Sequence, residues 1–422
     1  MLAITVWVSL LISIGLWFVY LRMGQSLFSL ILLLLAAAII FSSIGVRPQV
    51  VSFLFFSLVV SFVYSYFKKG GPSIYLVPGL FVLWVNLHGG FFSGLVFLAG
   101  VTMCELIKTC IAIKGDKMWT MVKNLVAVTI LSILATLVNP YGFSIYQSVT
   151  AIPSNPFNQQ FNMEWLPLFS RGGIHVLVGA LVIACYGLFF IKKNRLNLTE
   201  LLLSLLFFFF SLKSVRMSLF FFTLFLPLVA TFIRQTLLIR FRLSLFSPPT
   251  VALAAFSLAI LSRGVYNVDT SLRMMNNPAF LASYRQNYPY GAINYIKTHP
   301  VPERLINYFN WGGYLVWQLP ERKVFENGIM DVFKVVGDRF FLDDYHQIVY
   351  LGPHWQELFD QYQVEGILLP PNLPLVQMIR VLPNWEILYE DKVSVLAVKQ
   401  NIMADFCYNY SCYGSYLGLQ YQ

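Results

Sequence analysis

Long apolar runs, about ten of them, constrain the fold of this chain more than any other feature. Each run that forms a helix is long enough, or nearly so, to span the hydrocarbon core of a bilayer. Hydrophobic residues make up 58% of the chain and charged residues 11%, and the mean hydropathy of +0.67 excludes an ordinary soluble domain. The predicted helical runs cover residues 3–21, 26–44, 50–67, 74–87, 91–113, 121–138, 174–191, 199–212, 217–233 and 249–262. The sequence therefore predicts a membrane α-helical bundle of about ten spans.

The distribution of charge divides the chain into a basic membrane part and a mildly acidic part of globular composition. Residues 1–263 contain 18 of the 29 Lys and Arg residues but only four of the 19 Asp and Glu residues. The bases lie in short loops, which is typical of cytoplasmic anchoring and gives no sign of nucleic-acid binding. We predict a polytopic transmembrane domain over 1–263, a small α/β domain over 264–400, and a flexible aromatic tail over 401–422.

The basic clusters also predict the orientation of the membrane domain. With the runs above as spans, four clusters fall on one side of the bilayer, which the positive-inside rule assigns to the cytoplasm. They are Lys68 and Lys69; Lys108, Lys114, Lys117 and Lys123; Lys192, Lys193 and Arg195; and Arg234, Arg240 and Arg242. We expect a multi-pass protein of the inner or plasma membrane with an extracytoplasmic C-terminal domain. Because this orientation puts the N-terminus outside, we also expect an upstream segment with an odd number of spans.

Residues 278–400 alternate between short β-like runs and helical patterns, which favours a small, mostly parallel sheet. A turn at 390–392 predicts a final antiparallel hairpin. The predicted strands are Arg304–Tyr308, Lys323–Glu326, Gly366–Leu369, Glu386–Tyr389 and Val393–Val398. The predicted helices are Ala292–Thr298, Tyr314–Gln318, Phe333–Val349, Trp355–Tyr362 and Leu375–Leu382.

The segment from Trp84 to Phe91, Trp-Val-Asn-Leu-His-Gly-Gly-Phe, interrupts the apolar pattern and is the predicted floor of a site. Asn86 and His88 are costly at the edge of a membrane unless they line water or protein, which indicates a polar pocket wall. The glycines at 89, 90 and 94 either help to form this pocket or permit close helix packing.

Other polar residues are predicted on the same outer face. Arg47 precedes the third predicted span, where it either binds an anion or extends to lipid phosphates. Lys213 and Arg216 are two outward bases that oppose the positive-inside rule, which favours a bound anion such as a lipid phosphate. Glu164, in the long loop 139–173, is the only outward carboxylate of residues 1–263 under this topology. Within the membrane domain, a carboxylate general base on this face would therefore have to be Glu164.

Several classes of chemistry have no signal in the sequence. There is no GxxxxGK[ST] loop, no HExxH motif and no GxSxG motif, which disfavours ATP hydrolysis and soluble hydrolase mechanisms. The five cysteines form no metal-binding pattern, and His88 with Glu164 is a poor ligand set, so we predict neither metal nor cofactor. Cys407 and Cys412 in the tail are candidates for a disulfide if the tail is extracytoplasmic.

The order of these motifs resembles that of a known family. The motifs are Arg47-Pro48-Gln49, Trp84-x-Asn86-x-His88-Gly89-Gly90-Phe91, Asn139-Pro140-Tyr141-Gly142, Glu164-Trp165, Arg216 before an apolar helix with Pro227, and Tyr308-Phe309-Asn310-Trp311-Gly312-Gly313-Tyr314-Leu315. Together they look like a mostly uncharacterised family of bacterial polytopic membrane proteins akin to the GT-C glycosyltransferases. The similarity covers roughly residues 40–400. It breaks at 326–329, where Glu-Asn-Gly-Ile stands in place of an expected Asp-Gly-Arg.

The resemblance implies an integral-membrane transferase that moves a sugar from a polyprenyl-phosphate donor to an envelope acceptor on the outer face. In such enzymes an acidic residue of the first external loop is the catalytic base, and that loop has no counterpart here. Glu164 and His88 are then the catalytic candidates. The substrate-binding candidates are Arg47, Asn86, Lys213, Arg216, Trp311 and Tyr314. Membrane lipids are further partners.

Two alternatives to a glycosyltransferase stay open. One is an O-antigen-ligase-like protein, in which outward Arg and His act without a strong carboxylate base. The other is a non-catalytic envelope or glycan-binding protein, in which Trp311 and Tyr314 would stack on sugar rings. The 308–315 segment has its own alternative, a tight β-to-α turn in which both rings pack inward.

Overall fold

The structure is a computed structural model, and it divides the chain into two compact units, residues 1–271 and 272–422. The residues that it describes are 2–24, 29–34, 36, 48–111, 116–154, 167, 173–191, 196–237, 286–327 and 339–400. The described elements of the first unit are helices, and those of the second are short helices and a small sheet.

The first unit is built from apolar helices. They are α1 (Leu2–Arg22), α2 (Gln49–Lys69), α3 (Val77–Val85), α4 (Phe91–Ile111), α5 (Asp116–Ala135), α6 (Ser144–Ser154), α7 (Gly173–Ile191), α8 (Leu198–Lys213) and α9 (Ser218–Leu237). Short 3₁₀ helices precede α3 at Pro72–Leu76 and α9 at Val215–Met217. Four segments of the described chain are long and apolar enough to cross a membrane: Gln49–Lys69, Phe91–Ile111, Asp116–Ala135 and Val215–Thr236.

These segments suggest a membrane protein, while the full count of about ten spans remains a prediction. Pro72–Val85 and Val178–Ile191 are shorter apolar helices that lie within predicted runs or overlap them. Predicted run 249–262 lies outside the described residues, and most of run 26–44 does too.

Residue types at the helix ends explain where the helices begin and end. Pro48 precedes α2 with a φ of −58°, which the proline ring sets in advance for a helix. Gly70 ends α2 with a φ of +70°, a left-handed conformation that glycine adopts at no steric cost. The side chain of Asn197 accepts a hydrogen bond from Thr199 N at 3.0 Å and caps the start of α8.

Aromatic rings join the helices of the first unit at its core. The ring of Phe56 on α2 is fully buried. Its centroid lies 5.5 Å from that of Phe97 on α4, 5.4 Å from that of Phe207 on α8 and 4.8 Å from that of Phe220 on α9. Edge-to-face and tilted pairs at these separations are favourable beyond the area they bury. One ring on α2 thus positions three other helices.

The described part of the second unit contains a four-stranded sheet of order β1-β2-β4-β3. Its strands are β1 (Leu305–Asn307), β2 (Gly366–Leu369), β3 (Trp385–Glu390) and β4 (Val395–Lys399). The pair β1–β2 is parallel, and the pairs β2–β4 and β3–β4 are antiparallel. The accompanying helices are α10 (Tyr290–Thr298), α11 (Gly312–Gln318), α12 (Phe341–Val349), α13 (Trp355–Gln361) and α14 (Pro374–Ile379).

The prediction of a mostly parallel sheet is wrong, although the predicted final hairpin is confirmed by the pairing of β3 with β4. Strand β4, the last in the sequence, lies beside β2, and β3 lies at the edge of the sheet. All side chains from Val395 to Val398 are buried, whereas every residue of β3 is partly or fully exposed. A strand covered on both faces belongs in the middle of a sheet, and an exposed one belongs at its edge.

The predicted strand Lys323–Glu326 is also wrong. The side chain of Asn307 makes hydrogen bonds to this segment that a neighbouring strand would otherwise make. Asn307 is 2% exposed, and its Oδ1 accepts from Phe325 N at 2.9 Å and from Glu326 N at 3.0 Å. Its Nδ2 donates to Glu326 O at 2.7 Å. Three backbone groups of Phe325 and Glu326 are therefore satisfied by a side chain and not by a neighbouring strand. The predicted helix Phe333–Val349 is observed from Phe341 onward, and residues 333–338 lie outside the described part.

Candidate functional site

The segment between α3 and α4 approaches α2 closely because of its glycines. A Cβ atom at Gly90 would overlap Ser52 Oγ, and a Cβ atom at Gly94 would overlap the ring of Trp84. The Trp84 ring is fully buried between Phe55 and Phe81, with centroids 5.7 and 5.6 Å away. The prediction that these glycines permit close packing is confirmed at 90 and 94.

The side chain of His88 connects three parts of the first unit. Its Nδ1 lies 2.6 Å from Ser52 Oγ on α2, and Ser52 Oγ accepts a hydrogen bond from Trp84 Nε1 at 2.8 Å. Gly90 N donates to the same Nδ1 at 3.1 Å. Arg216 Nη2, from the 3₁₀ turn between α8 and α9, lies 3.2 Å from His88 Nε2. These five residues are the His88 cluster.

The donors around His88 keep its imidazole neutral. The Gly90 N–H donates to Nδ1, which requires that nitrogen to be unprotonated, and the Arg216 guanidinium beside Nε2 disfavours a positive charge on the ring. A neutral imidazole has one such nitrogen and an imidazolium has none. Burial and the neighbouring charge of Arg216 accordingly lower the pKa of His88 to about 4.

We predict that the first unit loses stability as the pH falls from about 6.5 to about 4. In this window the unfolded chain binds a proton at His88 that the folded chain does not bind, so acid favours the unfolded state. The full effect is at most about 3 kcal/mol. Thermal unfolding of the full chain in detergent from pH 7 to pH 4 measures it. His88→Asn should flatten this dependence and His354→Asn, at an exposed site of the second unit, should leave it intact. Parallel curves for the native chain and His88→Asn would contradict the prediction.

The lowered pKa restricts what His88 can do in catalysis. A group with a pKa near 4 is a weak base at neutral pH, so His88 fits a neutral side chain that packs against Arg216 better than a proton-abstracting base. Glu164, the other predicted catalytic residue, and Arg47 lie outside the described residues. Glu105 is too distant to replace Glu164, because it lies 14 residues along α4 from Phe91, about 21 Å along the helix axis.

Asn86 lies beside the cluster in sequence but has a structural partner set. Its Nδ2 donates to Val82 O and to Val138 O, both at 2.8 Å. Both amide hydrogens therefore have backbone acceptors, one of them in the turn that follows α5. This arrangement fixes the end of α3 and does not point to sugar binding through the Asn86 amide nitrogen.

Lys213 brings a second cation to the turn that carries Arg216. It is the last residue of α8 and is exposed, and its Nζ lies 4.9 Å from the centroid of the Phe209 ring. A cation over an aromatic face is held at modest energy without a carboxylate partner. The connection between α8 and α9 thus contributes two positive charges within three residues.

The Asn139-Pro140-Tyr141-Gly142 segment, one of the motifs of the family resemblance, forms a turn. Asn139 Oδ1 accepts from Tyr141 N at 2.7 Å, and Asn139 Nδ2 donates to Thr136 O at 2.7 Å. Gly142 has a φ of +53°. Asn commonly closes turns through its own side chain in this way, and the segment ends α5 without adding to the His88 cluster.

The expectation that Trp311 and Tyr314 offer exposed rings is wrong. They are 3% and 7% exposed and lie within the core of the second unit. Trp311 Nε1 donates to Asn287 O at 3.1 Å, and the Tyr314 ring lies 4.7 Å from that of Tyr288. Stacking on a sugar needs an exposed face, so the packed β-to-α turn is the arrangement that the structure supports.

Sequence reasoning did not find Ser52 or the indole of Trp84 as members of the cluster. Ser52 is one of several serines in an apolar helix, where a hydroxyl ordinarily bonds to its own backbone. The pairing of His88 with Arg216 joins residues 128 positions apart. No local pattern encodes such a contact.

No protein-family model matches the chain, and no curated protein matches its sequence. Within the described part of the chain, no group of three or more His, Cys, Asp or Glu side chains is placed to hold a metal ion.

Proposed function

We propose that this chain is an integral-membrane, glycosyltransferase-like protein that moves a sugar from a polyprenyl-phosphate donor to an envelope acceptor. The proposal places the His88 cluster on the outer face of the inner or plasma membrane, in a GT-C-like bundle, together with an extracytoplasmic second unit. The observation that carries it is the contact between Arg216 and a neutral His88 at the end of the apolar helix bundle.

The charge of this arrangement suits a phosphate. A guanidinium presents donors in a fork that matches phosphate oxygens, and Lys213 adds a point charge three residues away. Because His88 is neutral, it lies against Arg216 without cancelling the positive charge, whereas a carboxylate in the same place would cancel it. When the sugar leaves the donor, negative charge develops on the phosphate, and fixed cations at that point stabilise it.

An O-antigen-ligase-like protein is the second candidate, because Arg216 and His88, the residue types on which such a protein would rely, lie in contact. Glu164→Gln separates the two. If Glu164 is the general base, the transfer rate should fall about 100-fold or more. If outward Arg and His suffice, the rate should be unchanged while Arg216→Ala still abolishes transfer.

We predict that Arg216→Ala weakens the binding of undecaprenyl phosphate by about 10- to 100-fold, because it removes a charge-assisted contact to the phosphate. Arg216→Lys should recover part of this loss. Native mass spectrometry of the full chain, with undecaprenol as the phosphate-free ligand, measures the effect. Undecaprenol should bind all variants alike.

Lys69→Ala is the matched control, since Lys69 is an exposed cation at the other end of α2. It should bind undecaprenyl phosphate like the native chain. Equal binding of undecaprenyl phosphate and undecaprenol by the native chain would remove the proposed donor. Full transfer activity in each of Arg216→Ala, His88→Asn and Glu164→Gln would remove the site assignment.

A further inference from the structure

A cavity of about 250 Å³ lies inside the first unit, away from the His88 cluster. It lies among α1, α2, α4, α8 and α9, near the ends of α2 and α4 that are opposite to Ser52 and Phe91. Its apolar lining residues include Val60, Val63, Phe97, Val101, Leu203 and Leu224. Four charged side chains also line it: Arg22, Glu105, Lys108 and Glu200. A cavity lined by both apolar and charged side chains suits a ligand that has an apolar part and a charged part.

One of the two ion pairs in this cavity is at hydrogen-bond distance and includes a third residue. Lys108 Nζ donates to Glu105 Oε1 at 2.6 Å and to Thr199 Oγ1 at 2.8 Å. Thr199 Oγ1 donates in turn to Glu105 Oε1 at 2.7 Å. These three hydrogen bonds link Glu105 and Lys108 of α4 to Thr199 of α8, so they connect the two helices at this side of the cavity.

Arg22, on the other side, is buried with much weaker partners. Its side chain is 6% exposed, and its Nη2 lies 3.8 Å from Glu200 Oε1, beyond hydrogen-bond distance. Its Nη1 donates to Thr223 O at 3.3 Å, the carbonyl that Pro227 leaves without an intrahelical N–H four residues later. Its Nε has no hydrogen-bond partner among the residues that the structure describes.

A buried guanidinium donor without an acceptor is unfavourable, and an anion in the adjoining cavity would remove that cost. Glu200 is the nearest anion, but its side chain is 24% exposed and stays at ion-pair distance. It can turn toward solvent if a better acceptor enters. The Tyr64 ring, 5.1 Å from the guanidinium carbon, supports the cation from one side.

We propose that this cavity binds an anionic amphiphile, with a phosphate or carboxylate head held by Arg22 and a short apolar segment against Phe97, Val101 and Leu224. The volume is near the lower end of ligand pockets, roughly 300 Å³, so it takes a head group and the first part of a chain. The site is separate from the His88 cluster and does not depend on the proposed transferase activity.

Native mass spectrometry of the full chain with octyl phosphate, octanol and inorganic phosphate tests this proposal. The native chain should bind octyl phosphate at least about tenfold more tightly than either of the others, because only octyl phosphate uses both the guanidinium and the apolar wall. Equal binding of inorganic phosphate would overturn the apolar half of the proposal. Equal binding of octanol would overturn the role of Arg22.

Two variants should change the affinity for octyl phosphate in opposite directions, which a purely structural role of the ion pair would not produce. Arg22→Gln should lower the affinity for octyl phosphate about tenfold, and Glu200→Gln should raise it severalfold because it removes the competing anion. Arg22→Lys keeps the charge and one donor for Thr223 O, so it serves if Arg22→Gln does not fold. It should bind more weakly than the native chain, since it lacks the fork.

Arg234→Gln is the matched control. Arg234 belongs to the last turn of α9, hydrogen-bonds to Ala230 O and Thr231 Oγ1 of its own helix, packs against Gly24, and is not among the residues that line the cavity. This variant should bind octyl phosphate like the native chain. If Arg22→Lys and Glu200→Gln fold and leave the affinity unchanged, the proposal is overturned.

A further arm identifies the source of the ligand. Long-chain phosphatidic acid supplied in nanodiscs should displace octyl phosphate if the natural ligand is a membrane lipid, and should fail to do so if it is a soluble single-chain amphiphile. Both results support the anion site at Arg22.

Discussion

Replacing Trp84 with alanine should destabilise the first unit by about 3–5 kcal/mol, the cost of removing a large aromatic side chain from a packed core. The ring is fully buried, stacks between Phe55 and Phe81, and fits against Gly94. The indole N–H also donates to Ser52 Oγ at 2.8 Å, so its loss reaches the His88 cluster. A lower thermal unfolding midpoint of the purified full chain in detergent would show the effect.

Two variants make the Trp84 prediction specific. Trp84→Phe keeps an aromatic ring but removes the hydrogen bond to Ser52, and it should cost about 1–3 kcal/mol. Leu83→Ala changes a neighbouring side chain that is 57% exposed, and its effect should stay within about 0.5 kcal/mol. Equal losses in Leu83→Ala and Trp84→Ala would mean that helix α3 does not pack as described.

Replacing Asn307 with alanine should have an effect of similar size in the second unit. Two backbone N–H groups and one carbonyl of the 325–326 segment lose their partner at once. Each buried group left unsatisfied costs about 1–3 kcal/mol. Hydrogen-exchange mass spectrometry of the full chain should show faster exchange at the amides of Phe325 and Glu326, which donate to Asn307 Oδ1 in the native chain.

Asn310→Ala is the control for this prediction. Asn310 is exposed, and its Nδ2 makes a 3.3 Å contact with the hydroxyl of Tyr308. Its loss should change neither the exchange at 325–326 nor the thermal stability by more than about 0.5 kcal/mol. Unchanged protection of these two amides in Asn307→Ala would show that the segment is held by another means.

Local patterns predicted most elements of the second unit because each depends on a few neighbouring residues. The strand Gly366–Leu369 has the bounds that its apolar run predicts. The prediction of a mostly parallel sheet failed because the order of strands depends on how strands compare with one another. Alternation of strands and helices favours parallel neighbours, but the burial of Val395–Val398 places β4 beside β2. The 323–326 segment failed because a single side chain, Asn307, supplies hydrogen bonds that a pattern search attributes to a strand.

In the candidate site, too, the sequence indicated individual residues but not the contacts between residues far apart in the chain. Asn86 and His88 attract notice as polar residues in an apolar context, and His88 is indeed the centre of a polar cluster. The hydrogen bond from Asn86 Nδ2 to Val138 O joins residues 52 positions apart, so a local pattern does not predict it. Glu105 is equally noticeable in the sequence, as a carboxylate inside an apolar helix. The cavity that it lines also requires Arg22 of α1, and the sequence alone does not show that these two residues lie in one cavity.

The double hydrogen bond of Asn86 has a mechanical consequence for access to His88. The loop that carries His88 is tied through Asn86 both to its own helix, at Val82 O, and to the turn after α5, at Val138 O. A swing of this loop would break the second bond and would also separate Ser52 from His88. We therefore expect the loop to be a fixed wall and not a gate. Any opening that admits a ligand must come from elements other than this one.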